Sequence, residues 1–263
     1  MKLFISILIL VQVLFSQTFN ARYRVDVGLF GSVGYSDVVI EDDGKTYSMS
    51  VTATTTGTAA VLSGNRMETY ISKGKIVNGK YLSDSFYKYR KTTRKETIQT
   101  YTFNHEKEEI TLRIQRSKWV KSSHFDPIVF KLIKTQEQEH SDENSSLDIY
   151  TSQDIFSSYL NALNSCNAEN KVYELIAVGA HNHKKSVTIF FLQKKEKQKA
   201  LELLDTDITD IFRLHIQPFS KDDTMMDILI GLDAAGHVKK AILGNVFWIG
   251  EVTSTRVSYT IAP

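Results

Sequence analysis

His181 and His183, in the run "AHNHKK", are the side chains of metal-ligating type that stand closest together as a histidine pair in this sequence. On a hairpin tip their rings could chelate zinc or copper, but a site needs further ligands, and no acid or cysteine stands at a recognisable spacing. They read as solvated loop histidines. So do His105, His124, His140, His215 and His237, mostly in predicted turns or on exposed strand faces. Cys166 is the only cysteine. One thiol cannot close an internal disulfide, and "NALNSCNAEN" holds no nucleophile motif, so a partly buried, unreactive thiol is expected. Acids gather in "DITD" and "SKDDTMMD", yet carboxylate pairs in turns are commonplace, and spacing alone assigns them no acid–base roles. Neither a G-x-S-x-G elbow nor an H-E-x-x-H pair occurs. "TATTTGTAAVLSG" (52–64) resembles a phosphate loop only in composition: six residues separate Gly57 from Gly64, and Asn65 and Arg66 follow, where a P-loop has four and then lysine with a hydroxyl residue. It reads instead as a strand that bends at Gly57 and runs small apolar residues towards the next strand. No catalytic residue, metal ligand or cofactor is expected, and the chain reads as a non-enzyme.

Two sets of residues suit binding. In "FYKYRKTTRKE", Lys88, Arg90, Lys91, Arg94 and Lys95 stand beside Tyr87 and Tyr89. Cations interleaved with aromatics can grip nucleic acid. An exported chain with a net charge of only +2 suits anionic headgroups or acidic glycans better, and a solvated turn is the plain alternative. The second set is apolar: Tyr47, Met49 and Val51 on one strand face, and Ile155, Phe156 and Tyr159 on a helical stripe. Together they would line a site for an apolar ligand.

Export is read from "MKLFISILILVQVLFSQ", in which Lys2 precedes an apolar run closed by the small Ser16. This is the order of a secretory signal peptide and too short for a membrane span, so residues 1–16 are expected to be removed and the protein to be periplasmic. No later apolar run approaches the ~18–20 residues of a spanning helix. What remains, residues 17–263, reads as one β-rich domain, or as two sheet segments joined by a polar linker near 135–146.

Period-two alternation from Tyr23 to Tyr35, with glycines marking a bend, indicates an antiparallel strand with one buried face. "EDDGKT" turns it into a second strand through Tyr47 to Ala53. "TIQTYTFNHEKEEITLRIQ" and "KVYELIAVGAHNHKKSVTIFFLQ" are further hairpins, and residues 225–261 supply two or three closing strands. "TSQDIFSSYLNALN" makes one amphipathic helix, with Ser152 as its N-cap, that plugs or covers the sheet. Residues 196–210 suit either a short helix or a strand pair, and an all-β neighbourhood favours strands. The fold expected is therefore mainly β, an antiparallel and strongly curved sheet, half-barrel or barrel-like, with one amphipathic helix.

The segments "YRVDVGLFGSVG", "TTTGTAAVLS", "SKGKIVNGKYLSDSFYKYRK", "RKETIQTYTFNHEKEEIT" and "DIYTSQDIFSSYLNAL" occur in an order that resembles exported bacterial proteins of domain of unknown function family 3108. The resemblance implies a periplasmic, mostly antiparallel β-protein and brings no activity with it. Two functions follow as expectations. One is a carrier or chaperone that shelters an apolar or lipid-like ligand in the curved sheet, with the helix as plug or lid. The other is a non-enzymatic envelope interaction or structural protein acting through edge strands and the basic turn.

Overall fold

The structure, a computed structural model, describes residues 17–128, 130–179, 187–204, 207–216, 226–244 and 250–262. The leader and the His181–His183 pair lie outside the described residues. The strands are β1 (Gln17–Val27), β2 (Gly31–Asp42), β3 (Thr46–Thr55), β4 (Met67–Val77), β5 (Lys80–Lys91), β6 (Lys95–Asn104), β7 (Glu109–Asp126), β8 (Lys131–Ser146), β9 (Val172–Leu175), β10 (Val187–Phe191), β11 (Asp210–Ile216), β12 (Met226–Leu232), β13 (Val238–Leu243) and β14 (Val252–Ala262). Among the described residues, three α-helices join them: α1 (Gly57–Ser63), α2 (Ile155–Ser165) and α3 (Lys194–Leu201). Among the described residues, fourteen strands belong to one sheet, ordered β8-β7-β6-β5-β4-β3-β2-β1-β14-β13-β12-β11-β10-β9. Every ladder is antiparallel. Strands β8 and β9, consecutive along the chain, are its two open ends, while β1 and β14 pair in its middle.

One helix shows how strongly the sheet curls. Leu160 of α2 packs with Tyr47 and Met49 of β3, while Ala162, in the same helix, packs with Phe212 of β11 and Ile189 of β10. Strands β3 and β11 are six neighbours apart, about 29 Å in a flat sheet at ~4.8 Å per strand, against a helix about 10 Å across. Only a sheet wrapped around α2 brings both walls to it. On the β9 side, Val178 lies beside Asp154 in a parallel bridge and packs with Phe86 of β5. Helix α3 lies on the outer face, where Leu192, Ala200, Leu204, Ile208, Ile211 and Ile242 form a second core. Among the described residues, no helix is long and apolar enough to cross a membrane, which says nothing of strands.

Four local expectations are corrected. The alternation from Tyr23 to Tyr35 is two strands: the chain reverses through a 3-10 turn at Gly28–Phe30, with Gly31 at φ +63°. Core residues are odd-numbered in β1 (Phe19, Ala21, Tyr23) and even-numbered in β2 (Val38, Ile40), so the turn shifts parity and the apparent continuity is accidental. Residues 57–63 form α1 instead of extending a strand. Ala59 and Ala60 favour the helix, and Gly64 ends it at φ +70° by donating to the Ala60 and Val61 carbonyls. The polar run 135–146, expected as a linker, belongs to β8. Its ladder with β7 carries Arg113–Asp142, Arg116–Glu143 and Lys118–Glu139 ion pairs, and an edge strand wet on both faces leaves no apolar alternation to read. Residues 194–201 are α3, anchored through Ala200, where strands were favoured.

The β12–β13 turn is tied back to β1. Asp233 accepts the backbone N–H groups of Ala235 and His237 at 2.9 and 3.0 Å and pairs with the nearly buried Arg256 at 2.6 Å. The His237 ring stacks on Phe19, centroids 4.1 Å apart. Burial there lowers the His237 pKa, with Arg256 adding to the effect and Asp233 opposing it. A depressed imidazole contributes stability that is present above its unfolded pKa of about 6.5 and is lost as pH falls through the folded value. His237→Phe is therefore expected to lose less stability than the parent between pH 7 and pH 5, as measured by urea denaturation at both pH values. Equal losses would refute the assignment.

Candidate ligand-binding face

The strand registers set the inner face of β3 to β7 into three rows. Met49, Ser72, Phe86, Tyr101 and Leu112 are successive cross-strand neighbours, as are Val51, Tyr70, Lys88, Gln99 and Ile114, and then Ala53, Glu68, Arg90, Thr97 and Arg116. Each row lies two residues, about 6.8 Å, beyond the last. The first row is buried. Phe86 and Tyr101 sit against Val178 and Phe156, and Met49 against Leu160, so α2 covers it. The second row is half-exposed and mixes apolar side chains with Lys88 and Gln99; the third is mostly polar and charged.

Helix α2 is fastened into this face by polar groups. Asp154 is its N-cap and forms a capping box with Ser157. The Asp154 Oδ1 accepts the N–H of Phe156 at 2.7 Å and of Ser157 at 3.1 Å. Its Oδ2 accepts the Ser72 hydroxyl of β4 at 2.6 Å. The Tyr47 hydroxyl bonds Ser72 at 2.9 Å and Ser83 at 3.2 Å, and Ser83 bonds Ser157 at 2.8 Å. Burial raises the Asp154 pKa against these hydrogen bonds, and raises the Tyr47 phenol to about 12. β6 pairs with β5 only from Ser85 onward. Residues 81–83 are met instead by the α2 segment: Asn161 exchanges hydrogen bonds with the Tyr81 backbone at 2.8 and 2.9 Å, and the Ser83 N–H donates to Ser152 O. The cap expected at Ser152 thus falls at Asp154, and Ser152 serves the sheet.

Beyond the helix, charge organises the second and third rows. Lys88 donates from Nζ to the Gly179 carbonyl at 2.8 Å and lies 5.9 Å from the Tyr70 ring centroid. Burial, reinforced by Arg90 and opposed by Glu68, lowers its pKa. Glu68 accepts from Tyr70 Oη and from Arg90 Nε at 2.5 Å each, and from Arg66 at 2.7 Å. Burial pushes the Glu68 carboxyl up, but these donors outweigh it and the group ends below its ordinary value. Arg90 and Arg116 therefore have carboxylate partners in Glu68 and Glu143, whereas the Lys88 ammonium is held by a carbonyl and an aromatic face.

The apolar set expected from sequence is brought together. Tyr47 and Met49 are buried with Leu160, and Val51, Phe156 and Tyr159 pack at the same cluster, while Ile155 joins the two clusters beside it. Tyr47 and Met49 are closed off by α2; Val51 lies in the half-exposed row. The five cations are divided. Lys88 and Arg90 sit on the inner face, and only Lys91, Arg94 and Lys95 form the exposed turn, so the single basic surface expected from spacing is corrected. Lys88 shares parity with Phe86 on a strand, the one signal that could have placed it inside. Nothing in the sequence marks Ser72, Ser83, Glu68 or Gln99. Cys166 is buried, 3.8 Å from Ile189 O, and burial pushes its thiol pKa up.

Residues 19–133 match the DUF3108 family model. The family is described as a protein of unknown function, and the match spans four of the five segments that resemble it, "DIYTSQDIFSSYLNAL" lying beyond. The matched residues run from β1 into β8 and carry all three rows; α2, which covers the first, comes from beyond them. Curated proteins give no match. Among solved structures, the chain is similar to a β-barrel-like protein of domain of unknown function DUF1849 from Brucella abortus, at 9% identity and a TM-score of 0.48, covering 94% of this chain and 98% of that one.

Proposed function

We propose that this is an exported, periplasmic, non-enzymatic carrier for an anionic amphiphile, such as a fatty acid or a single-chain phospholipid. The observation that carries this reading is the row order of the inner face: an apolar floor under α2, then Val51, Tyr70 and Ile114 beside Lys88, then charge. An acyl chain suits the apolar members of the second row, and a carboxylate or phosphate suits Lys88, whose cost of burial falls when an anion arrives. Helix α2 acts as a fixed plug, because its cap and Asn161 tie it to β4 and β5. The interaction-protein alternative has less support, since β8, an open end, is blunted by Glu137, Glu139, Asp142 and Glu143.

The test is titration of the chain from Gln17 with a fluorescent fatty acid and with its uncharged methyl ester. Saturable binding of the acid alone is expected, with Lys88→Glu weakening it by at least about tenfold, or 1.4 kcal/mol. No saturable binding, or a variant indistinguishable from the parent, would sink the reading. Fractionation of cells expressing the full chain, with N-terminal sequencing of the periplasmic product, tests its location.

A further inference from the structure

Beyond Lys118 the β7–β8 hairpin leaves the sheet. β6 pairs with β7 only from Glu109 to Lys118, whereas β7 and β8 pair with each other as far as Asp126 and Lys131. Residues 119–126 and 131–138 thus form a ribbon without a third strand, and eight residues at ~3.4 Å each carry its tip about 27 Å outward. Polarity is ordered along it. At the base, the acids of β8 are matched across the ladder by Arg113, Arg116 and Lys118. Near the tip, Phe125, Ile128, Phe130 and Leu132 are 53%, 92%, 82% and 59% exposed, with exposed Lys131 beside them and exposed Lys121 four residues further down β7. The one acid in 119–133 is Asp126, whose Oδ1 accepts the Ile128 N–H at 2.8 Å.

Phe130 is the sharper signal. Its φ of +51° is one that glycine or asparagine adopts cheaply and a bulky residue avoids. The position carries an aromatic that stays in water and meets Phe125 edge-on at 5.2 Å. A two-stranded ribbon gains little stability from exposed side chains at its apex. These side chains gather at the apex: Phe125 faces Leu132 across the ladder and so shares its face, Phe130 meets Phe125, and Ile128 lies in the turn. An apolar tip that projects from the sheet, with Lys131 next to it and a single acid within 119–133, suits a bilayer boundary, where apolar groups enter the acyl region and lysines stay among headgroups.

We propose that the tip of the β7–β8 ribbon docks the protein onto an anionic membrane surface, with Ile128 and Phe130 entering the acyl boundary and Lys121 and Lys131 meeting the headgroups. Docking stands apart from the carrier reading, because the ribbon tip lies outside the three rows. The test is flotation of the chain from Gln17 with vesicles of phosphatidylcholine alone and with about 30 mol% phosphatidylglycerol added, a share that gives a clear negative surface potential. Binding to the mixed vesicles is expected. The double variant Ile128→Ser, Phe130→Asn should reduce it at least about tenfold while leaving the melting temperature equal or higher, since asparagine tolerates the turn. Lys131→Glu should weaken it several-fold. Three results would each overturn the proposal: no flotation of the parent, equal flotation of the double variant, or equal binding to neutral vesicles. So would a concentration-dependent dimer of the parent that the double variant abolishes, which would assign the tip to a second copy of the chain.

Discussion

Gly74→Ala is expected to cost about 3–4 kcal/mol and to lower the melting temperature by roughly 10 °C. Gly74 stands at the irregularity between β4 and β5, where the register shifts beside Lys73. A Cβ there would lie 1.9 Å from the Leu82 carbonyl oxygen and 2.9 Å from Tyr47 Cε1. A flexible side-chain end could move aside, but a backbone carbonyl in a ladder cannot move without breaking its pairing, and Tyr47 is held by Ser72 and Ser83. The strain would therefore enter the network that seats α2. Gly244→Ala is the control, because among the described residues its Cβ would come no nearer than 4.0 Å, to Asp227 O. Urea denaturation of both variants checks the expectation, and similar midpoints for the two would contradict it.

Asp154→Ala follows at about 3 kcal/mol. Loss of the N-cap accounts for about 1 kcal/mol, and the hydroxyl of Ser72 and the N–H groups of Phe156 and Ser157, left buried without an acceptor, account for the rest. Asp154→Asn separates shape from charge. The amide oxygen can still accept both N–H groups and the amide nitrogen can donate to Ser72, so the variant should remain within about 1 kcal/mol of the parent at pH 7. Burial raises the folded pKa of Asp154, so its contribution to stability is fully present below the ordinary carboxyl pKa of about 3.9 and is lost as pH rises through the raised value. The asparagine variant should thus compare best with the parent at neutral pH and lose ground on acidification. Urea midpoints at pH 7 and pH 4.5 measure both effects. An alanine variant as stable as the parent would mean that the network does not seat the helix.

Elements with one wet and one dry face were readable from sequence, because burial writes a period into the residues. The hairpins through Tyr101 and Ile110 and the stripe of α2 are of this kind. Where a strand has no dry face the period vanishes, as in β8, and its ladder of opposite charges lies in cross-strand partners that sequence order does not display. Helix α3 buries one residue, Ala200, with Leu201 partly buried next to it, too few to set a helical period. At the candidate site, the apolar half was found because Tyr47, Met49 and Val51 alternate. The polar half was missed because serines and an aspartate owe their burial to partners up to 82 residues away, as Ser72 and Asp154 are.

The pairing of β1 with β14 fixes the order in which contacts can form. Eight strands from β1 to β8 and six from β9 to β14 each fold back on their sequence neighbours, and local hairpins form quickly. The seam that unites them joins Thr18 to Ala262, so no part of it can close until the last strand is available. Each meander must meanwhile keep an unpaired central edge in water. Strand β1, with Phe19, Ala21 and Tyr23 on its core face, therefore waits without its final neighbour until β14 has been made, and a sheet built this way depends on being kept from pairing too soon.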